Sequence, residues 1–231
     1  MIGIFSDPHG NVEAMMVALS VLRSKGVENV YCLGDTVGYF PGPACVTRLI
    51  EDRIPVCRGS HEDILLQYSA SIECEEIYQL QPTRCSLSKN ELAEMALWPE
   101  RIEVDVSCGR LLLLHGSPRD PLHAYVYPDT DPYHYSVSGY AAVFMGHTHR
   151  PFIREYDGVL YVNVGSCGLP RDNGSFGSVC MFDTVKRLAT IVRFDIREAT
   201  SHALTRCQHV HPSVIDIFTR PPDMKKTLHD V

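Results

Sequence analysis

Residues 1–26 read MIGIFSDPHGNVEAMMVALSVLRSKG. Met1–Phe5 is a short apolar run of the length expected for a buried strand. It ends in the polar loop Ser6-Asp7-Pro8-His9-Gly10. From Asn11 onward Val12, Met15, Met16, Leu19 and Leu22 recur at helical spacing, and Gly26 supplies a stop. The pattern repeats outward from this unit. Val30–Leu33 is a second apolar run, broken by Gly34-Asp35. A weaker helix follows Pro43 through Val46, Leu49 and Ile50, and Ile54–Cys57 is a third candidate strand broken at Gly59. Strands alternating with helices need crossover connections, so the first 60 or so residues predict a parallel sheet in an α/β protein.

Beyond this unit the periodicity changes. Residues 61–98 are expected to be mostly helical, with Ser88 as an N-cap and Glu91 three positions on. Three hairpins are then predicted. Ile102–Val106 and Leu111–Leu114 flank Cys108-Gly109. Phe152–Tyr156 and Leu160–Val164 flank Asp157-Gly158, a strong turn signal, and Gly177–Asp183 precedes Leu188–Phe194. After Cys207 the chain carries Pro212, Pro221 and Pro222 and little periodicity. The expectation is one domain over residues 1–207 and a loosely docked arm over 208–231.

Residues able to hold metal follow the apolar runs. Asp7 and His9 come after the first, Asp35 after the second, and Ser60 and His61 after the third. His115 follows Leu111–Leu114, and His147 with His149 follows Val143–Met145. In open α/β sheets ligands gather outside the carboxyl ends of the strands, so distant loops can meet there. A set of carboxylates and imidazoles without thiolates suits Mn, Fe, Zn or Ni better than Ca or Mg.

The blocks S-D-P-H-G-N (6–11), G-D (34–35), G-S-H-E (59–62), L-H-G-S-P (114–118) and G-H-T-H (146–149) resemble the ordered motifs of calcineurin-like metallophosphoesterases. The resemblance is closest to the small bacterial and archaeal branch. It implies a four-layer α/β/β/α sandwich and a metal-dependent hydrolase of phosphate esters or anhydrides. By resemblance, Asp7, His9 and His149 would hold one divalent transition metal, manganese being favoured, and His115 and His147 the other. Asp35 would bridge the pair, about 3.5–4 Å apart, around a hydroxide nucleophile. His61 would protonate or stabilise the leaving oxygen. Asn11 and Arg119 are candidate substrate contacts, Arg because it can grip phosphate bidentately.

One block departs from the family. Position 60 is normally Asn, a ligand of the second metal, and Ser60 is shorter by about 1.5 Å. A weakened second site is the expectation, and a catalytically weakened scaffold is the alternative reading. The substrate expected is a small nucleotide or phosphodiester. The crowded His123, Tyr125, Tyr127, Tyr133, His134 and Tyr135 read equally as surface loop or substrate lid, and His209 with His211 as a solvated arm.

Bulk properties narrow the partners. A formal net charge of −7 argues against duplex binding, which needs Lys and Arg to replace counterions. Nine scattered cysteines without a C-x-x-C pair support neither a disulfide framework nor a zinc knuckle. The first apolar run is too short for a signal segment and no long apolar span follows, so a cytoplasmic protein without membrane partners is expected.

Overall fold

The computed structural model describes residues 1–67, 74–207 and 209–220. Two sheets pack face to face. One has the order β2 (Asn29–Cys32), β1 (Ile2–Phe5), β8 (Phe176–Asp183), β9 (Leu188–Asp195). The other runs β3 (Arg101–Val106), β4 (Gly109–Leu114), β5 (Ala142–Met145), β7 (Val159–Asn163), β6 (Phe152–Tyr156). The parallel pairs are β1–β2, β4–β5 and β5–β7. These strands point their carboxyl ends at one rim, which is where the candidate ligands lie.

The alternation of buried side chains builds the layers. Ile2 and Ile4 of β1, Leu111 and Leu113 of β4, Phe144 of β5 and Phe182 of β8 meet between the sheets. Phe5 turns the other way, onto α1 (Val12–Ser24), whose Ala14, Met15, Ala18, Leu19 and Leu22 form its buried stripe. Leu112, Leu114, Val143 and Met145 face outward from the second sheet. There they pack against Val126 and Tyr135 of the long β4–β5 connection.

Further helices flank the sheets: α2 (Ala44–Glu51), α3 (Ser60–Leu66), α4 (Glu75–Tyr78), α5 (Leu80–Ser86), α6 (Lys89–Ala96) and α7 (Arg197–Arg206). Ser88 caps α6 in a reciprocal box with Glu91, as the spacing predicts. All three predicted hairpins form. Together these make an α/β protein of two sheets flanked by helices.

Two segments differ from expectation. Ile54–Cys57 makes only a single parallel bridge, Val56 to Cys32. Pro55 has no N–H to donate, so the run cannot continue a ladder. The tail is also better ordered than its low periodicity implies. Pro212–Thr219 forms α8, with His211 as N-cap and Pro212 in the first turn. Val214 and Ile217 are buried with Tyr39, Phe40, Leu169, Ala203 and Cys207. The arm over 209–220 is therefore docked, not loose, and the boundary expected at 207 runs through a packed cluster. Residues 221–231 lie outside the described residues.

Candidate metal centre

The loops after β1 and β2 are laced together by their backbones. Asp7 N donates to Gly34 O at 3.0 Å and His9 N to Asp35 O at 3.0 Å. The loop after β5 joins them through His147 N, which donates to Asp7 Oδ2 at 3.1 Å. Two close approaches need glycine. A Cβ at Gly59 would lie 2.4 Å from Asp35 Oδ1, and one at Gly146 would lie 2.2 Å from Ser6 Oγ. Asp7, His9, Asp35, His147 and His149 all have positive φ, five of the eleven non-glycine cases among the described residues. Such backbone is held only where its surroundings over-determine it, and it concentrates at functional sites.

These loops gather two groups of buried side chains, Asp7-His9-His149 and Asp35-His115-His147. In each, the candidate ligand atoms lie within 4.8 Å of one another. His61 joins Asp35 and His9 in a third such group. Asp35 Oδ2 is 3.2 Å from His115 Nε2 and 3.7 Å from His9 Nε2, so it stands between the first two groups.

Ring orientation is set from behind. Nδ1 of His9, His115 and His149 lies 3.0, 3.0 and 2.5 Å from the carbonyls of Val37, Leu33 and Leu169. A carbonyl only accepts, so each Nδ1 carries a proton and each ring directs its Nε2 inward, where it offers a lone pair whenever that nitrogen is unprotonated. His9 Nε2 then faces His149 Nε2 at 3.0 Å. His147 Nε2 lies 3.2 Å from the His123 carbonyl, so its Nδ1 faces His115 Nε2 at 2.8 Å in the same way. Two facing lone pairs repel unless a proton or a cation lies between them. Asp7 Oδ1, buried without a hydrogen-bond partner, points to the same need.

The charges agree. Burial alone would push Asp7 up, but the neighbouring His149 and His115 outweigh it and hold the carboxyl at about 2. Burial likewise opposes Asp35, and His115 and His61 win, holding it well below the usual carboxylate range. Burial pushes His9 well down and His147 to about 3. Burial also opposes the charge on His115, but Asp35 lifts it to about 9. The charge on His115 is thus held by Asp35, 3.2 Å away, and a cation bound there would displace that proton.

The cavity above this cluster, about 160 Å³, is lined by Ser60, His61, Tyr39, Tyr78, Tyr125 and Arg171 among others. Ser60 Oγ donates weakly to Asp35, at 3.3 and 3.4 Å. The His61 ring packs between His9, Tyr39 and Tyr78, and burial lowers its pKa.

Two expected substrate contacts lie elsewhere. Asn11 is fully buried. Its amide oxygen caps α1 at Ala14 N, and its amide nitrogen donates to Gly168 O. Arg119 is spent on the β4–β5 connection, donating to Tyr133 O. The cavity's arginine is instead Arg171, which donates to Tyr39 Oη at 3.0 Å. No local signal marks Arg171, because the loop after β7 carries it back to the rim. Glu62, three residues after Gly59, is a further residue of the site that the motif reading did not single out. Its carboxylate accepts from the backbone N–H of Asp35, Thr36, Val37 and Gly59. Asn163 and Ser166 brace the site, binding Gly146 O and Asp7 O.

The sequence profile of the calcineurin-like phosphoesterase superfamily domain matches residues 1–187. The chain belongs to this superfamily. An uncharacterised protein of Methanocaldococcus jannaschii is 28% identical over 222 residues, covering 86% of this chain and 90% of that one. A phosphodiesterase of the same organism is 24% identical over 169 residues, covering 72% and 83%. The crystal structure of a metallophosphoesterase from Sphaerobacter thermophilus superposes with a TM-score of 0.75 at 25% identity, covering 94% of this chain and 97% of that one. Metal dependence belongs to this phosphoesterase family, and the donor set of buried imidazoles and carboxylates fits it.

Proposed function

We propose that this calcineurin-like phosphoesterase hydrolyses small phosphate esters or anhydrides, with two divalent transition cations, manganese favoured. Asp7, His9 and His149 would hold one, His115 and His147 the other, and Asp35 would be shared. The observation that carries this is the pair of inward-facing imidazole contacts, His9–His149 and His115–His147, flanking one shared carboxylate. When bound, the cations would supply an activated water and screen the phosphoryl charge.

The chain's own residues do the rest. Asp7 and Asp35 stay ionised through the neutral range, so no carboxylate must first lose a proton. His61 is kept neutral by burial, so its role is to donate an N–H hydrogen bond to the leaving or phosphoryl oxygen. Arg171, steadied by Tyr39, supplies a fixed positive charge in the same cavity for the phosphate oxygens. The similarity to an archaeal phosphodiesterase supports a phosphodiester or small nucleotide substrate.

No described helix is long and apolar enough to cross a membrane. Nine free thiols suit a reducing cytoplasm, where we place the protein.

The test is hydrolysis of bis-p-nitrophenyl phosphate by manganese-loaded protein. Turnover is expected, with Asp35→Ala reducing it at least about 100-fold, as loss of a shared charge at the reacting centre should. Absence of turnover in both the natural chain and Ser60→Asn would favour a scaffold.

A further inference from the structure

The β4–β5 connection lends the cavity Tyr125, an aromatic ring that phosphate hydrolysis does not require, with Tyr127 beside it. Leu122 and Val126 are buried beneath it, 9% and 3% exposed, while Tyr125 and Tyr127 stand out at 53% and 37%. Tyr125 and Tyr127, two residues apart, thus stand outward on either side of the buried Val126. Tyr125 stacks on His147 with ring centroids 3.9 Å apart and planes 28° apart. Tyr127 lies parallel to Tyr125, at 6.0 Å and 8°. Tyr125 therefore links the ring of a candidate ligand, His147, to a second tyrosine ring nearly parallel to its own.

The rings sit on a braced support. Arg154 donates to Thr130 O at 2.8 Å and to Pro128 O. Tyr161 Oη donates to Val137 O at 2.9 Å and accepts from Val137 N at 2.8 Å. Arg119, the residue expected to touch substrate, instead fixes Tyr133 by hydrogen bond and by lying 5.7 Å over its ring. A preformed surface spends little ordering entropy when a ligand arrives.

The cavity's composition is graded. Its lining includes Asp35, His9, His147 and His149 of the candidate metal cluster, and the guanidinium of Arg171. Tyr125, Tyr78 and Ile64 supply aromatic and aliphatic lining. A ligand matching this gradient has an anionic tetrahedral end and a flat, apolar end. An aliphatic tail would find few aliphatic partners, whereas any nucleobase has a π-face that stacks on tyrosine.

We propose that Tyr125 and Tyr127 form a shelf for the base of a nucleoside phosphate whose phosphate lies between Arg171 and the metal cluster. This rests on the phosphoesterase reading above.

Titration calorimetry on manganese-loaded protein tests it without requiring turnover, using adenosine monophosphate, p-nitrophenyl phosphate and inorganic phosphate as probes. The natural chain should bind adenosine monophosphate roughly 5- to 150-fold tighter than inorganic phosphate, the range of one stacked base. Tyr125→Ala should collapse that ratio towards one, and Tyr125→Phe should keep it. The shelf is overturned if the natural chain shows no preference, if Tyr125→Ala retains it, or if Tyr125→Phe loses it equally. A p-nitrophenyl phosphate affinity equal to that of adenosine monophosphate would overturn the nucleoside assignment. A preference without hydrolysis of any phosphate ester or anhydride would sink the phosphoesterase reading and leave the shelf standing.

Discussion

At the scale of single residues, the choice of ligand decides how tightly each cation is held. Ser60 sits 6% exposed at the start of α3, and its hydroxyl reaches only Asp35, at 3.3–3.4 Å. An amide there would extend about 1.5 Å further and present a stronger oxygen donor. Ser60→Asn should therefore tighten the weaker of two manganese sites, by roughly 10- to 100-fold if the gain matches that of outer-shell metal partners. Metal titration reads both sites, and two equally tight sites in the natural chain would refute a Ser60 defect. The candidate ligands themselves were legible because each follows a strand-like run. Their positive φ values were not, since Asp and His tolerate that region without advertising it.

At the scale of elements, Glu62 ties the start of α3 to the loop after β2. Its two oxygens accept from four backbone N–H groups and from Thr36 Oγ1, all buried. Burial and the nearby Asp35 charge push Glu62 up, while Thr36 and Gly59 pull it down. In Glu62→Gln one oxygen becomes a donor and faces donors. Leaving buried N–H groups unpaired costs about 1–3 kcal/mol each, so a loss of about 3 kcal/mol is expected. Urea unfolding checks this: the midpoint should fall with the slope unchanged. A midpoint equal to the natural chain's would mean the five bonds are dispensable. Local turns were readable from sequence. Asp157-Gly158, at φ 49° and 74°, is the turn its dipeptide announces. The docking of α8 was not readable, although Pro212 at its first position is an ordinary start signal. Its partners Tyr39, Phe40 and Leu169 lie far away in sequence. Arg171 escaped for the same reason, and Pro55 defeated the third strand through a missing donor.

At the scale of the whole molecule, the candidate metal centre joins two sheets. Asp7, His9 and Asp35 come from loops of the first, and His115, His147 and His149 from loops of the second. Within each candidate cluster, ligands from one sheet meet ligands from the other, so a bound cation would cross-link them at their shared rim. Without cations, the cluster keeps ring nitrogens facing one another at 3.0 Å and an unpartnered Asp7 oxygen in a buried site. Chelation should therefore weaken the packing of the sheets, not merely stop chemistry. A cation at 100 times its dissociation constant contributes about 2.7 kcal/mol per site. In a chain of this size each kcal/mol shifts the melting midpoint by about 2–4 °C. Removing one site should then lower Tm by about 5–10 °C, and manganese should restore it, in thermal melts of EDTA-treated and reloaded protein. An unchanged Tm would show that the two sheets close without help from this rim, and that the six side chains do not share an ion.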